Sequence, residues 1–203
     1  MQDLLELLLE LELRLELAEI LFGDFAEAGN LYTGPGNDEL PHRTCERYDG
    51  AMPSAPSLAL EVATRLAQLS AAPHWQQRAE ELLRGATPEI RRYPQGFVHL
   101  LAAAERVLGR GRELVILGPR QAPATLALLA SARRAGPLTA VLQIDPAERT
   151  ASDTLAPFTA AMQPRDGKST AYLCTDRHCD APLTDPALLA DKLLVSPAVS
   201  PFK

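Results

Sequence analysis

The stretch of sequence that decides the fold is Glu113-Leu-Val-Ile-Leu-Gly118. It holds four consecutive aliphatic residues, and Gly111 and Gly118 bound it on either side. A short apolar run between glycines is typical of a β-strand that is buried on both faces. Before residue 110 the apolar residues follow a helical period or no period, whereas after it short β-branched runs alternate with helical stretches. The sequence therefore predicts a change of architecture near residue 110.

Beyond this strand, helices and strands alternate along the chain. The sequence predicts a helix over residues 122–135, a second strand over 138–144, a weaker helix over 152–162 and a third strand over 169–174. Asp185 and Pro186 favour the start of a last helix, which continues through Leu194. Such alternation is typical of a parallel α/β layer with right-handed crossovers. We therefore expect residues 110–203 to form a small three-stranded parallel α/β layer.

The predicted structure before residue 110 is helical. Leu58, Val62, Leu66 and Leu69 share one face of a helix that Ser54 can cap. The pattern further predicts a second helix over 74–84, a short turn that opens at Thr87-Pro88, and a third helix over 97–108. The expected fold class is α plus α/β, with helical hairpins over residues 1–109.

Residues 3–22 and residues 23–53 have very different compositions. Residues 3–22 are almost entirely Leu, Glu and Ala, and the leucines surround the whole helical wheel. We expect a helix there that is covered on every side. Glycines and prolines interrupt residues 23–53, which show no helical period. A loop of that length inside a compact region is usually functional or partly ordered as a hairpin.

Composition and charge exclude several classes of partner. The chain has 203 residues, 46% hydrophobic and 23% charged, which is enough for a packed core. Its 20 Lys and Arg against 26 Asp and Glu give a net charge of -6, which argues against nucleic acid or an anionic membrane as a partner. The chain starts without a basic signal-peptide region, and glutamates interrupt the leucine run, so no membrane span is predicted. We expect a cytoplasmic protein.

A candidate site lies where the long loop meets a helix, at Tyr48-Asp-Gly-Ala-Met-Pro-Ser54-Ala-Pro-Ser57. A helix N-terminus presents free N–H groups and a positive dipole end, which suit hydroxyl-bearing or anionic ligands. Asp49 is the candidate catalytic residue, as an acid, a base or an acceptor for a sugar hydroxyl. Tyr48, Ser54 and Ser57 are candidate ligand-binding residues. The alternative is simple capping, in which Asp49 closes a turn and the serines satisfy helix amides.

The sequence contains no complete catalytic or cofactor motif. Glycoside chemistry normally needs two opposed carboxylates. Glu46 and Glu61 are near Asp49 in sequence, but nothing in the spacing directs them toward it. Gly118 follows a strand, yet neither a Gly-x-Gly-x-x-Gly pattern nor a P-loop lysine accompanies it. We therefore predict no cofactor, and whether the chain is an enzyme stays open from these residues.

Cys174 and Cys179 form a second cluster, with His178 between them. Zinc sites usually use Cys-x2-Cys spacing and four ligands, and redox pairs usually use Cys-x-x-Cys at a helix N-terminus. This pair follows a predicted strand instead, which favours structural thiols in a turn. We predict no metal site and retain the two cysteines as a candidate thiol pair. Three cysteines are too few for a secreted disulfide framework.

Three stretches of the chain, taken in order, resemble a known family. They are Tyr48-Asp-Gly-Ala-x-Pro-Ser54, then Leu101-Ala-Ala-Ala with Glu113-Leu-Val-Ile-Leu-Gly118, then Thr170-Ala-Tyr-Leu-Cys174-x4-Cys179-x-Ala-Pro-x-Thr-Asp185. Together they resemble the C-terminal part of the thioredoxin-domain-containing YyaL-like family, which includes the spermatogenesis-associated thioredoxin-like proteins. The resemblance covers roughly residues 20–195, and the cysteine-containing stretch is its most specific element.

The resemblance implies an architecture. Members of that family are much longer, with an N-terminal thioredoxin-like domain, an (α/α) toroid similar to six-hairpin glycosidases and N-acylglucosamine 2-epimerases, and a small closing α/β segment. Residues 1–109 then match the last hairpins of an incomplete toroid, and residues 112–195 match the closing segment. The family usually has Pro-Ser-Gly-Asn-Ser where this chain has Pro53-Ser-Ala-Pro-Ser57, which removes an amide and a flexible glycine.

Two functions follow as hypotheses. The first is a C-terminal module of this family without independent catalysis, which acts through self-association or partner contacts. It is favoured because about a hundred helical residues cannot close a six-hairpin toroid and would leave apolar faces exposed. We expect a homo-oligomer or a partner subunit. The alternative is a carbohydrate-active protein, epimerase-like or glycosidase-like, with a sugar site in a pocket lined by Asp49 and Tyr48.

Overall fold

The strand predicted over residues 113–118 is present and runs from Arg112 to Leu117, with all of its residues buried. The computed structural model of the protein describes residues 26–27, 30–31, 46–70, 72–108, 111–175 and 178–194. The helices are α1 (Ala55–Ser70), α2 (Pro73–Arg92), α3 (Val98–Leu108), α4 (Pro123–Ala132), α5 (Arg149–Leu155) and α6 (Pro186–Leu194). The strands are β1 (Ala26–Glu27), β2 (Asn30–Leu31), β3 (Arg112–Leu117), β4 (Thr139–Ile144), β5 (Thr170–Thr175) and β6 (His178–Cys179).

Strands β3 to β6 form one mixed sheet in the order β4-β3-β5-β6. β3 pairs with β4 in parallel, with Leu117 opposite Ile144. β5 pairs with β3 in the antiparallel sense, with Leu117 opposite Thr170. The predicted parallel layer is therefore wrong in the direction of β5, and it missed the edge strand β6. The described chain combines helices with a small mixed sheet.

The segment between β4 and β5 contains one short α-helix in place of the crossover helix expected from the sequence. A parallel β5 would need a connection that crosses back over the sheet, about 20 Å for strands of this length. The helix in this segment, α5, has only 7 residues, so it spans about 10 Å. It ends at Leu155 because Pro157 disfavours helical geometry at Ala156. The helix predicted over 152–162 is therefore much shorter. β5 starts at the same end of the sheet at which β4 ends, since Ile144 and Thr170 both lie opposite Leu117.

Apolar side chains cover both faces of β3. Leu114 and Ile116 point to one face, where they join a buried cluster with Leu128 of α4 and Leu189 of α6. The opposite face carries a second buried cluster, which consists of Val115, Leu117, Ile144, Met162 and Cys174. The continuous apolar run in the sequence correctly predicts this burial on both faces.

Helix α2 is longer than predicted. It has 20 residues and continues through Pro88, where the sequence suggests a new turn. Thr87 does not cap a helix here, because its Oγ1 donates a hydrogen bond to the carbonyl oxygen of Leu83 at 2.8 Å. A proline inside a helix removes one backbone hydrogen bond, and α2 tolerates that loss. Within the described segments, no helix combines the length and the apolar character needed to cross a membrane.

The chain divides into two compact units. The described residues of 1–64 and 73–104 are called here the helical unit, and those of 65–72 and 105–203 the sheet unit. The predicted boundary at residue 109 and the predicted helix over 3–22 lie outside the described residues. Within the loop predicted over 23–53, β1 and β2 form a short antiparallel ladder.

Candidate functional site

The carboxylate of Asp49, in the loop before α1, accepts four hydrogen bonds. Its Oδ1 accepts from the backbone N–H of Ser54 at 2.8 Å and from the hydroxyl of Ser57 at 2.6 Å. Its Oδ2 accepts from the backbone N–H groups of His99 at 2.9 Å and Leu100 at 3.1 Å. A single side chain thus joins the start of α1 to the start of α3.

This arrangement satisfies polar groups at two helix N-termini. The first turn of a helix leaves N–H groups without intrahelical acceptors, and a negative charge is favourable there. Ser54 and Ser57 are both buried, and their hydroxyl oxygens lie 2.8 Å apart. The backbone N–H of Asp49 itself donates to the carbonyl oxygen of Gly96 at 2.7 Å. The structure therefore brings Asp49, Ser54 and Ser57 together in the geometry of a cap, and their role toward a ligand stays a prediction.

Two opposing effects act on the carboxyl group of Asp49. Burial by itself raises its pKa, whereas the hydrogen bonds from Ser57, Ser54 and Leu100 lower it, and the net result is a pKa below the ordinary value of 3.8. The group is therefore ionised and hydrogen-bonded at neutral pH. A carboxylate in this state has no proton to give, so it is poorly suited to general acid catalysis.

The ring of Tyr48 packs against two aromatic residues near the start of α3. Its centroid lies 5.2 Å from that of Phe97 and 6.2 Å from that of Tyr93. Gly96 leaves room for both tyrosine rings, because a Cβ at this position would lie 2.7 Å from ring carbons of Tyr48 and of Tyr93. Tyr48 remains 49% exposed. These contacts do not test the predicted ligand-binding role of Tyr48, which stays a prediction.

One ionisable pair, His99 with Glu61, was not predicted from the sequence. Nε2 of His99 lies 3.0 Å from Oε2 of Glu61, and both side chains are partly exposed. The pair links α3 to α1 a second time. An imidazole beside a carboxylate serves acid–base catalysis in some proteins and ion pairing in others. Sequence reasoning missed the pair because its members are 38 residues apart and belong to no motif.

Among the cavities formed by the described residues, two lie in the sheet unit. The larger, of about 380 Å³, is lined by Ala130, Ser131, Arg134, Pro186, Ala187, Ala190 and Asp191. The smaller, of about 120 Å³, is lined by Leu117, Ile144, Pro146, Arg149, Gln163 and Pro164. The candidate residues Tyr48, Asp49, Ser54 and Ser57 line neither of them. The pocket that the carbohydrate hypothesis requires is therefore not one of these two.

Cys174 and Cys179 are joined by a disulfide bond. They lie opposite each other in the register of β5 and β6. Cys174 is fully buried, whereas Cys179 is exposed. Over the part of the chain that the structure describes, no group of three or more His, Cys, Asp or Glu side chains is arranged to hold a metal ion. The structure thus brings the candidate thiol pair into a covalent bond.

Three mammalian sequences align with 74% of this chain. The chain is similar to spermatogenesis-associated protein 20. It is 28% identical to the human protein over 151 residues, 29% identical to the mouse protein over 157 residues, and 27% identical to the rat protein over 152 residues. These alignments support the family relationship that the three sequence stretches predict.

Spermatogenesis-associated protein 20 is much longer than the aligned region. The alignments cover 19% of the human, mouse and rat proteins. No protein-family model matches the chain, and no solved structure matches it. Most of the length of spermatogenesis-associated protein 20 therefore has no counterpart in these alignments.

Proposed function

We propose that this chain is a module of the spermatogenesis-associated thioredoxin-domain family without catalysis of its own, corresponding to the C-terminal part of that family's proteins. It acts through self-association or through contacts with a partner subunit. The observation that carries the proposal is the apolar surface of the helical unit. Leu58 and Val62 of α1, and Val98 and Leu101 of α3, are called here the apolar stripes.

The apolar stripes are exposed and have helical spacing. Leu58 and Val62 are 47% and 43% exposed, and Val98 and Leu101 are 66% and 40% exposed. Residues three or four apart lie on the same side of a helix, so each helix presents a continuous apolar strip. Burying the exposed part of such side chains stabilises a complex by about 1 kcal/mol each. Four of them supply a substantial part of the free energy of a specific contact.

The geometry of Asp49 supports a structural role for the predicted catalytic residue. Each of its carboxylate oxygens already accepts two hydrogen bonds from the protein. A catalytic carboxylate needs a lone pair or a proton directed at a substrate. Asp49 instead holds the starts of α1 and α3 in a fixed relation, and these are the two helices that present the apolar stripes.

The length of the relatives also supports the proposal. The aligned region is 19% of human spermatogenesis-associated protein 20, so most of the chain of that protein lies outside the region that corresponds to these helices. For the present chain, we assign the covering role to a second copy or to a partner subunit.

Sedimentation velocity of three proteins tests self-association. They are the wild-type chain, the stripe variant with Leu58→Glu and Val98→Glu, and a control with Leu126→Glu and Leu188→Glu. The control leucines are 47% and 54% exposed and lie on α4 and α6, so the control adds the same charges at comparable exposure. We expect the wild type and the control to sediment as oligomers at micromolar concentration and the stripe variant as a monomer. Identical sedimentation of all three contradicts self-association through the apolar stripes.

A further inference from the structure

We infer that the Cys174–Cys179 disulfide is a thiol–disulfide exchange site, at which an external dithiol, such as a protein dithiol, delivers two electrons. The inference does not depend on the proposed function, because it rests on residues of the sheet unit alone. The observation that carries it is the difference in burial between the two bonded cysteine residues.

The two cysteines have opposite accessibility. Cys174 is 0% exposed and belongs to the buried cluster with Val115, Leu117, Ile144 and Met162. Cys179 is exposed and lies on β6, a strand of 2 residues at the edge of the sheet. Exchange requires a thiolate to reach one of the two sulfur atoms. Cys174 is fully buried, so in the folded protein the exposed residue Cys179 is the one at which we expect attack.

The reaction follows from this asymmetry. A thiolate of the dithiol attacks Sγ of Cys179, a mixed disulfide forms there, and the bond to Sγ of Cys174 breaks. The released Cys174 sulfur takes up a proton, because a thiolate is poorly solvated among apolar side chains. The second thiol of the partner then displaces Cys179, which leaves as a thiol. The dithiol ends as a disulfide, and the protein gains two electrons and two protons.

The position of β6 at the edge of the sheet allows this reaction while the two buried clusters around β3 stay packed. Two residue pairs, Cys174 with Cys179 and Thr175 with His178, define its ladder with β5. The next residue, Asp180, donates its N–H to the carbonyl oxygen of Leu173 at 2.9 Å. Short edge elements with few hydrogen bonds open more readily than central strands. Reduction therefore loosens β6 and uncovers the edge of β5, while β3 and β4 keep their pairing.

Intact-mass analysis after alkylation tests the exchange site. All proteins carry Cys45→Ser, so that only Cys174 and Cys179 can be alkylated and change the measured mass. We expect dithiothreitol to reduce the disulfide in native buffer. In oxidised glutathione, the variant Cys174→Ala, which retains the exposed Cys179, forms a mixed disulfide about 100-fold faster than Cys179→Ala, because a buried thiol reacts only after local opening. In guanidinium chloride the two variants react at equal rates.

Two results overturn the inference. One is a disulfide that dithiothreitol reduces only in denaturant, and the other is equal rates for the two variants in native buffer. Hydrogen exchange of the oxidised and the reduced wild type is a second test, and it does not depend on whether the cysteine variants fold. The inference requires faster exchange in β6 after reduction with unchanged exchange in β3, and exchange that is unchanged throughout contradicts it.

Discussion

The sheet unit and the helical unit bury their apolar side chains to different extents. In the sheet unit, β3 is buried along its whole length and is covered on both faces. The helical unit has fewer described residues, yet it holds seven of the twelve large apolar side chains that are exposed in the described part of the chain. These seven are Tyr48, Met52, Leu58, Val62, Tyr93, Val98 and Leu101.

The sheet unit encloses apolar side chains, whereas the helical unit exposes apolar side chains that, under the proposed function, another chain covers. The sheet unit has buried apolar clusters on both faces of β3, and these clusters stabilise it without a contact to another chain. In the helical unit, the contacts of Asp49 join the starts of two helices, and much of the apolar surface is exposed. The two units should therefore respond differently to mutation, pH and association.

The largest effect is expected from the core of the sheet unit. Leu114 is fully buried, so Leu114→Ala leaves a cavity and lowers the free energy of unfolding by about 3 kcal/mol. The control is Leu126→Ala on α4, which changes it by less than about 0.5 kcal/mol because Leu126 is half exposed. Chemical denaturation followed by circular dichroism measures both. Equal losses would show that the sheet unit has no core of the kind described.

The next effect is expected at Asp49. Asp49→Ala removes acceptors from two helix starts, and each lost cap weakens folding by about 1 kcal/mol, so the expected loss is about 2 kcal/mol. Hydrogen exchange should become faster in the first turns of α1 and α3. The exposed Asp191 on α6 provides the control, Asp191→Ala. Unchanged exchange in α1 and α3 of the Asp49 variant contradicts the capping role.

The free energy of unfolding of the helical unit should depend on pH through the carboxyl group of Asp49. Its pKa in the folded protein lies below the ordinary value of 3.8, so the unfolded chain takes up the proton first as the pH falls. The stabilisation is therefore complete above about pH 4 and is lost as the pH falls through the lower folded pKa. Acid titration of unfolding should be less steep for Asp49→Asn than for wild type. An identical acid slope refutes this role.

The smallest effect on stability is expected at the apolar stripes. In the separated monomer, Leu58→Glu together with Val98→Glu should change the free energy of unfolding by less than about 0.5 kcal/mol per site, because both side chains are exposed. Urea denaturation at a concentration below the association threshold measures it. A large loss would place these residues in the core of the helical unit and remove the contrast between the units.

Local patterns in the sequence predicted the elements but not how they pair. β3, α1 and the cap at Asp185, whose Oδ1 accepts from the N–H of Ala187 at 2.7 Å, follow from residue types and spacing. The direction of β5 does not, because the residue pattern of a strand is the same in either direction and the packing of the preceding segment decides. The prediction that a new turn opens at Thr87-Pro88 was wrong, because α2 continues through Pro88 with one backbone hydrogen bond missing.

The candidate site shows the same limit. The sequence identified Asp49, Ser54 and Ser57 because they lie close together before a helix. It did not identify His99 and Leu100, whose amides bind Asp49 from 50 and 51 residues away. Contacts between distant segments depend on the packing of whole helices, which no local pattern contains. The same holds for the exposure of the apolar stripes, which depends on what else packs against α1 and α3.

Radical footprinting at increasing protein concentration tests self-association through the apolar stripes, since it measures the exposure of individual side chains. We expect labelling of Leu58, Val62, Val98 and Leu101 to fall as the concentration rises through the association range, while labelling of Leu126 and Leu188 stays constant. Constant labelling of all six side chains, or protection confined to the two leucines of the sheet unit, would contradict it.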